Sequence, residues 1–326
     1  MDNPTHLLTG FFLSRAGLNR LTPRATPLLL LSTNIPDIDI VAITGGWINY
    51  LHWHRSWTHS FLLSPVLALA SVAMVRLVAR RPMPWVAATF VAWLGVISHL
   101  LLDWTNQYGI RFLLPFSPRW YEIDNTTLFD IWIYAAFAVC LFGPLLARLV
   151  GGEIAGQIGV RPRETAGQGW AITALVFLCF YFAGRGVIHH RWIDTLNSRN
   201  YEDAEPLRVA AFPQASSPFV WRGVVETSGA YHLYTLSLLG ASFDPSAGRT
   251  LFKPEWNAAI NAASKTPVFQ EFRQFAQYPL WQTVPSAEVE NGTQVDLVDM
   301  RFPFHCRAIV DGANRVRRTE YPVYGW

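Results

Sequence analysis

Four apolar runs, near residues 60–80, 84–103, 128–148 and 168–188, are each long enough to cross a bilayer as a helix, for which roughly 20 residues are needed. That feature constrains the fold more than any other. The chain of 326 residues is 51% hydrophobic and 15% charged, yet its mean hydropathy is only +0.19, because the apolar residues gather before about residue 190 and polar residues dominate afterwards. The pattern predicts a mainly α protein, a polytopic helical membrane bundle over 1–190 followed by an extracytoplasmic α+β domain over 191–326. Two shorter apolar stretches, Leu7–Leu13 and Ala25–Ile35, read as half-helices or tilted helices inside the bundle.

Arginine placement orients the bundle. Arg15, Arg20 and Arg24, then Arg76, Arg80 and Arg81, then Arg148, Arg161 and Arg163 fall at alternate ends of the expected spans, and by the positive-inside rule those ends are cytoplasmic. The opposite ends carry His6, Asp37, Asp39, the stretch HWHRSWTHS at 52–60, His99, Asp103 and Asp124. This predicts an integral membrane protein with its polar cluster and C-terminal domain on the extracytoplasmic side. In that domain FVWRGVVETSGAYHLYTLSLL alternates around a Ser-Gly turn like a hairpin, AEVENGTQVDLVDMRF holds an Asn-Gly turn between extended runs, and PEWNAAINAASKTPVFQEFRQFAQY suits one or two helices.

A net charge of +3, with no lysine before Lys253, gives no basic tract for nucleic acid. Cys140, Cys179 and Cys306 are far apart and read as packing residues rather than a metal or disulfide framework. The start, MDNPTHLLTGFFLSRAG, lacks a basic n-region and is expected to be retained.

The HLLLD stretch sets His99 and Asp103 one helical turn apart on one face, as either a hydrogen-bonded pair or a chelate for one metal ion. Ionisable groups at the end of an apolar span are rare unless functional, which favours the chelate. In NIPDIDI, Asp37 and Asp39 can reach one centre only from an extended or turn backbone, and Pro36 supports such a break; the alternative is a helix cap. His54 and His59 are too far round for one helical face, so His54 is placed in the entering loop and His59 in the first turn, with Ser56 or Thr58 as cap. Arg55 is set either to answer an anionic substrate group or to pair with a carboxylate. His52 is assigned to solvent or headgroups. Histidines with aspartates in a partly dry site suit zinc or another transition metal rather than calcium or magnesium. More than four candidate ligands implies two ions, or one ion with outer partners absorbing the surplus.

The motifs PTHLLTG, PDID, HRSWTHS, HLLLDWTNQYG and LPFSPRWYEID, in this order, resemble the predicted membrane-bound metal-dependent hydrolases, the YdjM-like, LexA-regulated group, over about residues 1–150. The resemblance implies that His6, Asp37, Asp39, His54, His59, His99 and Asp103 are metal-site positions. That group is distantly similar to zinc phospholipase C, whose helical core uses an HxxxD pair among its zinc ligands, matched here by His99 and Asp103.

The expectation is a membrane-bound metal-dependent hydrolase with one or two divalent ions, zinc first, acting on a lipid or lipid-linked phosphoester. Asp37 or Asp39 would be the base and Arg55 the anion contact, with Asp124 and Asp130 weaker base candidates, Asp124 also suiting a cap of the following helix and Asp130 a place in its first turn. Membrane lipids are the expected partners, and the sequence leaves the oligomeric state open. The rival reading is a non-catalytic metal-stabilised scaffold or a transporter. A transport path should continue as polar residues through the spans, and VLALASVAMV and YAAFAVCLFG offer none.

Overall fold

A computed structural model describes residues 1–158, 166–240 and 242–324. They form two compact units: Met1–Ile38, Arg55–Ile188 and Pro213–Pro218 in the first, and Asp39–His54, His189–Phe212 and Phe219–Trp326 in the second.

The first unit is helical. Helix α1 (Asn3–Ala16) starts where the Asp2 carboxylate accepts the Thr5 amide, with Pro4 in the first turn where a missing N–H costs nothing, and it stops at Gly17, whose φ of 144° suits glycine. Helix α2 (Ala25–Ser32) ends before a 3-10 stretch, Ile35–Gly45, that has Pro36 at its second position and carries the chain into the second unit. Past the second unit's short helix α3 (Trp47–Trp53), a 3-10 turn (Trp57–His59) leads to α4 (Ser64–Ala79), capped at its C-terminal end by Arg80 in the left-handed region. Helices α5 (Trp85–Trp104), α6 (Ile131–Ile158) and α7 (Ala166–Asn197) follow, α7 running on into the second unit. One core joins α2, α4 and α5 through Leu28, Leu29, Val72, Val91 and Val96; another joins α1, α6 and α7 through Phe12, Phe137 and Ala174.

Among the described residues α5 and α7 are each long and apolar enough to span a membrane, and the number rises to four if α2 with its 3-10 stretch, and Trp47–His59 with α4, each count as one bent span. The run expected at 60–80 is therefore shorter as a helix: α4 has 16 residues, because the chain at 59–63 turns to deliver His59 instead of extending the helix. Of the run expected at 128–148, the apolar helix covers Ile131–Ala147. Neither Ser56 nor Thr58 caps α4, which starts at Ser64 after Leu63; α6 is capped by Asp130, which accepts the amides of Trp132 and Ile133 from just outside the first turn, and not by Asp124. Arg161 and Arg163 lie outside the described residues.

Two four-stranded sheets make up most of the second unit, the β1–β2 turn at Pro213–Pro218 being counted with the first. Strands β1 (Arg208–Gln214), β2 (Ser217–Glu226), β3 (Ala230–Ser237) and β4 (Arg249–Phe252) follow chain order in one; β5 (Pro279–Pro285), β6 (Thr293–Asp299), β7 (Phe304–Val310) and β8 (Val316–Tyr324) do so in the other. The expected hairpin is β2–β3, and Asn291 takes a φ of 54° in the turn between β5 and β6. Between the sheets in sequence, α8 (Ala258–Ser264) and α9 (Pro267–Phe275) form, α9 burying Phe269, Phe272 and Phe275 on one face. Phe212, Val224, Tyr231, Leu280, Val298 and Met300 make the core. Helix α3 packs on α9 and β8, and His52 pairs with Glu271 at 2.8 Å.

Candidate metal centre

Four side chains of the first unit converge: Asp37 from the 3-10 stretch, His59 from the 3-10 turn, and His99 and Asp103 from the last turns of α5. The i, i+4 spacing on α5 puts the last two side by side, and the two irregular segments bring the others because neither is bound to helical periodicity. One ligand atom from each lies within 4.8 Å of every other.

The separations suit one ion. Four ligands about 2.1 Å from a tetrahedral metal stand roughly 3.4 Å from one another. Here His59 Nε2 is 3.1 Å from His99 Nε2, 3.4 Å from Asp37 Oδ1 and 3.4 Å from Asp103 Oδ2. His99 Nε2 is 3.6 Å from Asp37 Oδ1 and 3.5 Å from Asp103 Oδ2. Asp103 Oδ2 is buried with no hydrogen-bond donor, a costly position for a carboxylate oxygen unless a cation meets it.

Each of the four also has an outer partner that turns the ligand atom inward, as metal ligands require. His99 Nδ1 donates to the Thr33 carbonyl at 2.8 Å; a carbonyl only accepts, so in the neutral ring Nε2 is left with its lone pair toward the cluster. His59 Nδ1 meets the Thr58 hydroxyl at 3.0 Å, and Asn3 donates to Asp37 Oδ2 at 2.8 Å. Asp103 Oδ1 is held by Arg55 Nη2 and His6 Nε2, both at 3.2 Å, and by the Met1 amino group. His59, His99 and Asp103 are fully buried, while the Asp37 side chain retains 16% exposure and is the open edge of the set.

Of the residues expected from sequence, Asp37, His59, His99 and Asp103 form the set of four. His6 stands just outside it: it stacks on His99 with ring centroids 3.8 Å apart and bonds Asp103. Asp39 and His54 fall in the second unit, where Asp39 Oδ1 and His54 Nδ1 pair at 3.0 Å and the His54 ring stacks on Tyr50. The alternate spacing of Asp37 and Asp39 thus separates them. Arg55 is buried against Asp103, Asn106 at 2.9 Å and the face of Tyr108, so of its two expected roles the carboxylate pairing is present. Asp130 caps α6 and accepts from Tyr181. Asn3, Thr33, Thr58 and Asn106 were not singled out as site residues. Asn3 directly precedes the motif PTHLLTG and Thr58 sits beside His59 in HRSWTHS, whereas nothing local marks a backbone carbonyl such as that of Thr33.

The helices that build the cluster carry their arginines at their other ends. Helix α5 starts beyond the Arg76–Arg81 turn, where Arg76 stacks on Trp85, and ends at the cluster. Helix α1 has His6 in its first turns and Arg15 in its last, and α7 begins beside that end, with Gln168 bonded to Arg20 and Ala16.

A family model described as YdjM inner membrane protein matches residues 1–193, a range that includes all four cluster residues. The uncharacterized protein YfhP of Bacillus subtilis (strain 168) is 28% identical over 162 residues, 44% of this chain and 47% of the relative, so the match spans about half of that protein's length. No solved structure matches the chain.

Proposed function

Because the chain belongs to the YdjM inner membrane protein family, we propose that its His/Asp cluster is the metal centre of a membrane-bound hydrolase acting at the extracytoplasmic surface on a lipid or lipid-linked phosphoester. The observation that carries the reading is a donor set of two imidazoles and two carboxylates at tetrahedral separations, each oriented by an outer partner. Mixed nitrogen and oxygen donors select zinc or a similar transition ion over calcium.

When bound, such an ion supplies Lewis-acid polarisation of an ester oxygen and makes water more acidic. Asp37, alone of the four in touch with solvent, marks the side on which water would reach a bound ion; Asn3 holds its Oδ2, and its Oδ1 can accept a water proton only when it is not itself a ligand. Arg55 and His6 hold Asp103 Oδ1, and Arg55 supplies the balancing positive charge in the dry interior. An extracytoplasmic site accords with the arginine-bearing ends by the positive-inside rule, and the same rule applied to the sequence puts the C-terminal domain outside. Labelling of Ser216→Cys by an impermeant reagent from outside is the expected result; labelling from the cytoplasm only overturns this orientation.

Burial favours one other reading. Structural zinc sites are closed whereas catalytic ones keep an open position, and three of these four residues are inaccessible. A non-catalytic, metal-stabilised membrane protein would look the same apart from Asp37. Purified protein should contain stoichiometric metal that His99→Ala and Asp103→Ala lose, and with zinc or manganese it should turn over a phosphoester or lipid-linked substrate. A metal-loaded, well-folded wild type inactive across phosphoesters, carboxylic esters and lipid-linked pyrophosphates would establish the non-catalytic reading instead.

A further inference from the structure

The motif LPFSPRWYEID takes no part in the metal centre, and its structure is unusual for a water-facing loop. Residues 110–121 form a hairpin closed by the Ile110–Tyr121 bridge, with amide-to-carbonyl bonds of 3.0 and 2.9 Å, and the chain returning from it is tied to the end of α5 by the Ile123 amide on the Trp104 carbonyl. Its tip is apolar and bare: Leu113 is 38% and Phe116 82% exposed. Its base carries two stacked pairs, Arg111 over Trp120 at 4.7 Å and Arg119 over Tyr121 at 5.8 Å.

The bare surface continues onto the candidate span α5. Leu101 and Trp104 of α5, with Phe61, are exposed and enclose, with Ile110 and Phe112 of the hairpin, a wholly apolar cavity of about 220 Å³. The Phe61 amide bonds the Phe112 carbonyl, so hairpin and cavity wall are one piece. Leaving Phe116 in water forfeits the gain of burying a large apolar side chain. An apolar tip above arginines and the partly exposed Tyr121, beside the exposed Trp104, is the arrangement of segments that sit at a bilayer interface, with aromatics at headgroup depth and cations on lipid phosphate.

We propose that the hairpin Ile110–Tyr121 binds anionic phospholipid. Phe116 and Leu113 enter the acyl layer, Arg111 and Arg119 meet the phosphate, and the cavity beside Trp104 takes part of a lipid chain. This holds whether or not the metal centre is catalytic.

The full chain carrying Cys179→Ser and Phe116→Cys, labelled with an environment-sensitive fluorophore, can be reconstituted into phosphatidylcholine vesicles with or without phosphatidylglycerol. Chain-brominated lipid should quench the label, and should not quench the same label at Asn314→Cys. Binding of phosphatidylglycerol, read by native mass spectrometry of the unlabelled protein, should fall about fivefold for each of Arg111→Gln and Arg119→Gln, with circular dichroism unchanged. Three outcomes would overturn the proposal: a label at 116 quenched no more than one at 314, phosphatidylglycerol binding unchanged by both arginine variants, or disulfide-linked dimers of the Phe116→Cys variant with no quenching by lipid.

Discussion

Arg55 carries two obligations in one buried side chain. Its guanidinium neutralises Asp103 from one side while the imidazoles approach from the other, and Nη1 bonds Asn106. Breaking a buried pair from one end leaves the other charge unmet, at about 3–5 kcal/mol. Arg55→Gln should therefore lower both the unfolding midpoint and the metal content of the purified protein. Arg55→Lys, which restores charge without the two-pronged geometry, should recover only part. A side chain that read a substrate anion would instead change KM and leave stability alone. Asn3→Ala, which frees Asp37 Oδ2, should weaken metal binding about 10–100-fold in competition with a chromogenic chelator. At this scale the sequence was legible where spacing is rigid: an i, i+4 pair on a helix can be read directly, and His99 and Asp103 lie together as that spacing implies. It was not legible in PDID, where a 3-10 backbone sends Asp37 to His59 and His99 and sends Asp39 to His54. No local rule says which of two alternate aspartates faces which unit.

Helix α2 is held in a narrow slot, and the metal centre depends on its height there. A Cβ on Gly95 of α5 would clash with Ser32 Oγ, and one on Gly10 of α1 would meet the Leu29 carbonyl at 2.8 Å, so α2 approaches both neighbours at glycine distance. At its C-terminal end α2 presents the Thr33 carbonyl to His99 and leads to Asp37. Gly95→Ala should cost about 1–3 kcal/mol by overpacking and should reduce metal affinity, although residue 95 touches no ligand. Adding Ser32→Ala, which removes the closest atom, should return most of both losses; metal affinity and thermal midpoints of the two single and one double variant form the cycle that checks it. If Gly95→Ala leaves metal affinity untouched, the slot does not set the centre. The long elements were visible beforehand, because twenty apolar residues bounded by arginine turns define α5 and α7 without tertiary help. So was the β2–β3 hairpin, from its alternation and Ser-Gly turn. The shortening of α4 was not, since Phe61, Leu62 and Leu63 are as apolar as the helix that follows, and the chain turns there to bury His59 and bond Phe61 to Phe112.

The whole molecule joins a helical unit, which a metal would stabilise by mass action, to a β-rich unit whose ionisable groups depend on protons. The change from apolar to polar composition near residue 190 made two parts visible, but the assignment of Asp39–His54 to the second unit rests on packing of α3 against α9 and β8 that no local pattern announces. In the second unit His305 of β7 is fully buried, facing Asp296 at 3.6 Å and Arg307 at 3.3 Å. Burial pushes its imidazole below the ordinary histidine range; Asp296 opposes that shift and Arg307 adds to it. His232 of β3 is lowered by burial as well. A histidine depressed in the folded state binds fewer protons there than in the unfolded chain, whose value is about 6.5, so stability rises with pH across that interval. The contribution is complete above about pH 6.5 and is lost as pH falls below it toward the depressed folded value. Exchange protection of the β6 and β7 amides in the full chain, corrected for intrinsic exchange, should therefore decline on acidification through that window, while added chelator should loosen the helical unit and leave these strands unchanged. His305→Gln should flatten the acid slope without abolishing it, because His232 still titrates with the same sign. Protection that increases on acidification would mean that the buried imidazole gains its proton in the fold, with Asp296 outweighing the cost of burial.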